Sequence, residues 1–211
     1  MSVNPLNRSY VYLKAVALVV AFVVLLSAFN TGIESLKGLA IIYLFMLLPD
    51  LSFLLLGMRS EPLATPTIIG LVGLFIISLL FGLIGRWEIM GVYRFPETFT
   101  LTIHGLSVSP IVLTLFAQLF GPVAEEAFFR VFLMQMLAIA IGGFWMPLIA
   151  QAVTFGVFHW WAYGGDLIGI TSATVSGLWL GYIYHRYGNE AAISLAHMIY
   201  NMVIVVLGAV A

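Results

Sequence analysis

Runs of about twenty apolar residues, repeated along most of the chain, restrict this sequence to a bundle of membrane helices. In hydrocarbon every backbone N–H and C=O must be satisfied within the chain, so only helices and closed barrels cross a bilayer. A hydrocarbon core of about 30 Å needs roughly 20 residues of helix. Seven stretches approach that measure: Val11–Phe29, Gly38–Gly57, Pro66–Gly85, Pro110–Ala140, Phe144–Trp161, Leu167–His185 and Ala191–Ala209. Only 8% of the 211 residues are charged and 63% are hydrophobic, whereas a soluble domain carries about 25% charge. The fold class expected is therefore all-α, a polytopic transmembrane bundle of about seven spans. It forms a single membrane domain over residues 1–211, with N-terminal spans and an interfacial loop over 1–109 and a motif-bearing core over 110–211.

Several classes fall away at this point. A net charge of −1 with no basic cluster argues against nucleic-acid binding. The chain has no cysteine, so disulfides, thiolate metal sites and a cysteine nucleophile are excluded. The first apolar run is too long for a signal-peptide core and no A-x-A site follows it. It reads as a retained span. Between Arg86 and Ser109 lies the one long connection, an expected interfacial segment anchored by Trp87, Tyr93 and Phe95. Counting basic residues places the N-terminus inside by Arg8, Lys14, Arg59 and Arg186 against Lys37, Arg86 and Arg94.

The fourth run is too long for a simple span and contains Gly121-Pro122. An interior proline removes one backbone hydrogen bond and tends to kink or restart a helix. A restart at Pro122 places Glu125 and Glu126 in a first turn, where free amides favour negative charge. Those two glutamates and Arg130 are flanked by Val112–Phe120 and Val131–Ile141, neither of which holds another charge. An ionised group at bilayer depth costs on the order of 2.5–3.5 kcal/mol on insertion scales, which makes it a functional candidate by default.

Spacing distinguishes the two carboxylates. Glu126 and Arg130 are four apart on one helical face in the favourable order for an ion pair. Glu125, turned by about 100°, is left without a local cation. A carboxylate so placed in a low-dielectric site should have a raised pKa, as a general base requires. Two further runs add polar groups at the same spacing: Phe155-x-x-x-His159 and His197-x-x-x-Asn201. Each has a plain structural reading. The first ion pair neutralises itself, His159 belongs to an aromatic belt with Trp160 and Trp161, and His197 with Asn201 is interhelical glue. Together, a carboxylate base, two imidazoles and an amide donor are the parts needed to hydrolyse an amide bond. Ser172, Thr174 and Ser176 have no paired base and read as packing residues, while Asp166 reads as a helix cap.

Glu125-Glu126-x-x-x-Arg130, Phe155-x-x-x-His159 and His197-x-x-x-Asn201, in this order on successive membrane helices, resemble the CPBP family. This is the CAAX-protease and bacteriocin-processing (Abi) group of intramembrane endopeptidases. The resemblance covers roughly residues 110–205 and implies a membrane-open cavity and cleavage of a membrane-associated substrate, prenylated or bearing a leader or sorting signal. It implies that Glu125 and His159 activate water, that His197 and Asn201 form the oxyanion site, and that Glu126 and Arg130 support the geometry. Family members often have glycine after the arginine, where this chain has Val131. No cofactor is expected on the glutamic mechanism. The alternative is a zinc enzyme using Glu125, His159 and His197, which matches the family's metalloprotease label but lacks a His-Glu-x-x-His helix. The other class open is a non-catalytic membrane scaffold or immunity protein. The expected setting is a prokaryotic plasma membrane, as a multi-pass integral protein.

Overall fold

The computed structural model describes Ile41 and residues 63–83, 101–103, 106–108, 110–160 and 162–210. Apart from Ile41, the first two expected spans lie outside these residues, as does most of the Arg86–Ser109 connection. Among the described residues the elements are α1 (Ala64–Leu83), β1 (Leu101–Ile103), β2 (Leu106–Val108), α2 (Pro110–Glu126), a π-helix (Ala127–Leu133), α3 (Met134–Ile141), α4 (Trp145–Phe158), α5 (Leu167–Tyr187) and α6 (Glu190–Val210).

Three of these, Ala64–Leu83, Leu167–Tyr187 and Glu190–Leu207, are long and apolar enough to cross a membrane. The fifth expected span is shorter than its apolar run. Its helix is 14 residues, about 21 Å at 1.5 Å per residue, and ends before His159. The all-α expectation holds for everything that lines the site. Among the described residues the exception is a short antiparallel hairpin that pairs Leu101 with Val108 and Ile103 with Leu106, within what the sequence presents as a loop.

The fourth run departs from expectation in a more consequential way. Pro122 lies inside α2 and does not restart it. Gly121 precedes it, and a residue with no Cβ relieves part of the clash that a proline ring imposes on its predecessor. The break comes later and in another form: Ala127–Leu133 is wound as a π-helix, with i→i+5 hydrogen bonds. Coil runs unbroken from α2 through α3. Glu125 and Glu126 therefore close an α-helix instead of opening one, and the amide field of a helix N-terminus does not act on them.

Packing is arranged around that long coil. α4 lies along α5, α1 packs on both α5 and α6, and α2 packs on α6. Small residues permit the close approaches. A Cβ on Gly177 would sit 3.2 Å from the Ala152 backbone, and one on Gly70 3.1 Å from the Ala196 Cβ. One buried cluster joins Val123, Ala124, Ala127, Phe129, Phe155 and Ala173. A second joins Leu74, Val131, Met134, Leu148, Leu180 and Ile193. Val131, where family members often have glycine, is thus part of the core. The outward faces are apolar as well, with Ile68, Leu83, Ile139, Met146 and Leu167 all exposed. A large exposed apolar surface marks a membrane-facing protein.

Candidate active site

α2 carries both acids at its C-terminal end, and the π-helix that follows carries the arginine. Glu126 and Arg130 are both 0% exposed, and Arg130 Nε stands 3.1 Å from Glu126 Oε2. The ion pair expected from the spacing is present. Its angle is poor for a hydrogen bond, and among the described residues Arg130 Nε, Nη1 and Nη2 have no hydrogen-bond acceptor. The guanidinium instead lies over the Phe155 ring, 4.2 Å from its centroid. A cation over an aromatic face in a desolvated site gains up to about 2 kcal/mol. Phe129 wedges in from the π-helix, edge-on to Phe155 at 5.0 Å and 89°.

Phe155 also sets the histidine of its own motif. His159 caps α4 one turn later, and its Nδ1 is 2.7 Å from the Phe155 carbonyl oxygen. A carbonyl only accepts, so Nδ1 carries the proton and donates. The neutral ring then presents the bare Nε2, which points at Glu125 Oε2 from 4.0 Å. His197 on α6 is fixed in a parallel way. Its Nδ1 lies 2.8 Å from Glu126 Oε1, and its Nε2 lies 3.9 Å from Glu125 Oε2. Two imidazoles on different helices thus turn the same nitrogen towards one carboxylate oxygen. Glu125 and His159 are partly exposed while Glu126 is sealed, so only one of the two acids is accessible.

Five of the six sequence-selected residues therefore converge: Glu125, Glu126, Arg130, His159 and His197. Asn201 is one turn beyond His197 and bonds elsewhere. Its Nδ2 donates to Gln118 Oε1 at 3.0 Å. Sequence reasoning passed over Gln118, although it stands seven residues before Glu125 on the same helical face. Tyr163, in the α4–α5 connection, was also missed. Its ring stacks on His159 at 6.0 Å and 30°. Burial, then the neighbouring Tyr200 and the Glu125 carboxylate, push its phenol well above the ordinary range. Asp166 is the cap expected of it, accepting from the Gly169 amide at 2.8 Å.

Glu125, His159 and His197 are chemically suitable zinc donors, yet their spacing is wide for one. Tetrahedral bonds of 2.0–2.1 Å hold donors about 3.3 Å apart, against 3.9 and 4.0 Å here. Among the described residues no group of three or more His, Asp or Glu is arranged to hold an ion. As they stand, these side chains do not fit a metal.

No curated protein and no solved structure matches the chain. The family model for Type II CAAX prenyl endopeptidase Rce1-like proteins matches residues 107–203, a stretch that holds every group just described. Over these residues the chain is similar to the Type II CAAX prenyl endopeptidase Rce1-like proteins.

Proposed function

We propose that the protein is a multi-pass intramembrane endopeptidase that hydrolyses a peptide bond in a membrane-associated substrate, with Glu125 as general base and no cofactor. What supports this most is the pairing of one accessible carboxylate with two imidazole Nε2 atoms across gaps of 3.9 and 4.0 Å. These gaps are too long for direct hydrogen bonds and within the span of one shared water.

In the reaction, water lies between Glu125 and the bare Nε2 of His159. As its oxygen bonds to the scissile carbonyl carbon, its proton passes to the Glu125 carboxylate. The carbonyl oxygen takes up the negative charge. His197, as an imidazolium, donates from Nδ1 to Glu126 and from Nε2 to that oxyanion, with Asn201 as the second donor. Before the proton moves, the two carboxylates Glu125 and Glu126 balance Arg130 and the imidazolium of His197, which lessens the cost of burying four ionisable groups. Collapse of the intermediate breaks the C–N bond, and Glu125 returns the proton to the leaving amine. The family match favours a substrate with a prenylated C-terminal cysteine motif.

The decisive measurement uses purified protein in detergent with a fluorescence-quenched farnesylated peptide and its unprenylated counterpart. Glu125→Gln should abolish cleavage, a loss of at least about 10²-fold, while the unfolding temperature stays within a few degrees. Undiminished cleavage by that variant refutes Glu125 as base. No cleavage by the parent protein of either peptide favours a scaffold role.

A further inference from the structure

We propose that Gln118 is a positioning residue for catalysis, holding the Asn201 carboxamide with its NH2 group turned towards α2. This rests on the peptidase reading above, in which Asn201 donates to the oxyanion.

A terminal amide offers an acceptor on one side and a donor on the other, and a half-turn about χ2 exchanges them. An oxyanion donor is useful only in one of those states. With the other, the amide oxygen faces the developing charge and repels it. Asn201 Nδ2 donates to Gln118 Oε1 at 3.0 Å, and that contact holds the NH2 state for as long as Gln118 presents its oxygen. The nitrogen has two N–H groups, so one bond to Gln118 leaves the second to be offered. Gln118 itself is only 6% exposed, so solvent competes little for that contact.

The placement of the pair is also specific. Glu126 meets His197, and eight residues earlier on α2 Gln118 meets Asn201, four residues later on α6. The two contacts run in opposite senses along their helices, so they lock an antiparallel register. Each proposed oxyanion donor on α6 thus has a polar support on α2. The α2 helix carries the base together with the supports of both donors.

The test is a double-mutant cycle on cleavage of the farnesylated quenched peptide by the purified full chain. Gln118→Met keeps the size of the side chain and removes the acceptor. It should lower kcat by about 10-fold, less than the 10²–10³ that loss of an oxyanion donor costs, with KM changed less than about 2-fold. Gln118→Glu, which keeps an acceptor oxygen, should retain more kcat than Gln118→Met. In an Asn201→Ala background the Gln118→Met effect should vanish, since residues that act as a unit are non-additive. Should Gln118→Met not fold, Gln118→Ala removes the acceptor without adding bulk and takes its place in the cycle. An equal drop in both backgrounds, or an unchanged kcat, overturns the positioning role. If Asn201→Ala alone leaves kcat intact, the oxyanion assignment falls and the positioning role with it. If Asn201→Ala is damaging and Gln118→Met is not, only the positioning role falls.

Discussion

The Nδ1 atom of His197 lies 2.8 Å from Glu126 Oε1, joining α6 to the end of α2 through a carboxylate that also pairs with Arg130. Glu126 is therefore the sealed and doubly partnered acid of the two, and the consequences of removing either acid should differ sharply. Glu126→Gln leaves the Arg130 guanidinium buried without its counterion, a change that costs about 3–5 kcal/mol. We expect a marked fall in unfolding temperature together with loss of cleavage. Glu125→Gln should lose cleavage alone, and thermal unfolding in detergent separates the two.

Phe155 supports the site from beneath, with Arg130 on its face and its carbonyl on His159. Phe155→Leu keeps the carbonyl and much of the volume while removing the ring. The loss expected is about 1–2 kcal/mol of stability from the cation–π contact, with a lower kcat. An Arg130→Lys variant should do no better, because an ammonium lacks the planar face that stacks on a ring.

The α4–α5 seam runs directly under the second motif. A Cβ on Gly156 would meet the Thr174 hydroxyl and lie 2.8 Å from the Ile170 carbonyl oxygen. Backbone cannot yield there, so Gly156→Ala should push α4 away from α5. We expect about 1–3 kcal/mol of destabilisation, as for other overpacked contacts, and reduced turnover through displacement of His159. Retention of full turnover would show that His159 is positioned by some other contact.

Tyr163 gives the protein a stability dependence at alkaline pH. Its folded-state pKa is raised by burial, by Tyr200 and by Glu125, so its contribution is fully present below the ordinary phenol value of about 10. Above that, the unfolded chain releases a proton that the folded chain retains, and stability falls as pH climbs towards the folded value. Tyr163→Phe should flatten this alkaline decline in unfolding temperature between pH 8 and 11, with little effect at pH 7.

Metal removal separates the two hydrolytic chemistries. On the glutamic reading, protein treated exhaustively with chelator should cleave the farnesylated peptide at the parental rate. Loss of activity that zinc restores would replace that reading with a two-histidine, one-carboxylate site.

Much of the site was legible because four-residue spacing on a helix needs no tertiary knowledge. The Glu126–Arg130 pair and the shared face of His197 and Asn201 follow from periodicity alone. His159 was ambiguous by itself, since a histidine beside two tryptophans fits an interface equally well. Only the contact with Glu125, made across helices, resolves its direction. Gln118 escaped notice because an uncharged amide in an apolar run gives no signal until its partner is known. Proline was over-read: Pro122 sits within an intact helix, whereas the real irregularity occupies Ala127–Leu133, a run with no proline or glycine. That winding is set by packing, and no local propensity announces it.

A π-helical stretch is rare and does not persist on its own account. Here it is clamped by the Phe129 wedge against Phe155 and by the salt-bridged, ring-stacked arginine at its centre. If those clamps loosen, the coil can shed its extra residue per turn and rewind to ordinary pitch, swinging the carboxylates relative to the histidines. An aromatic-to-aliphatic change at Phe129 or Phe155 is therefore expected to act on this winding rather than on any reacting group.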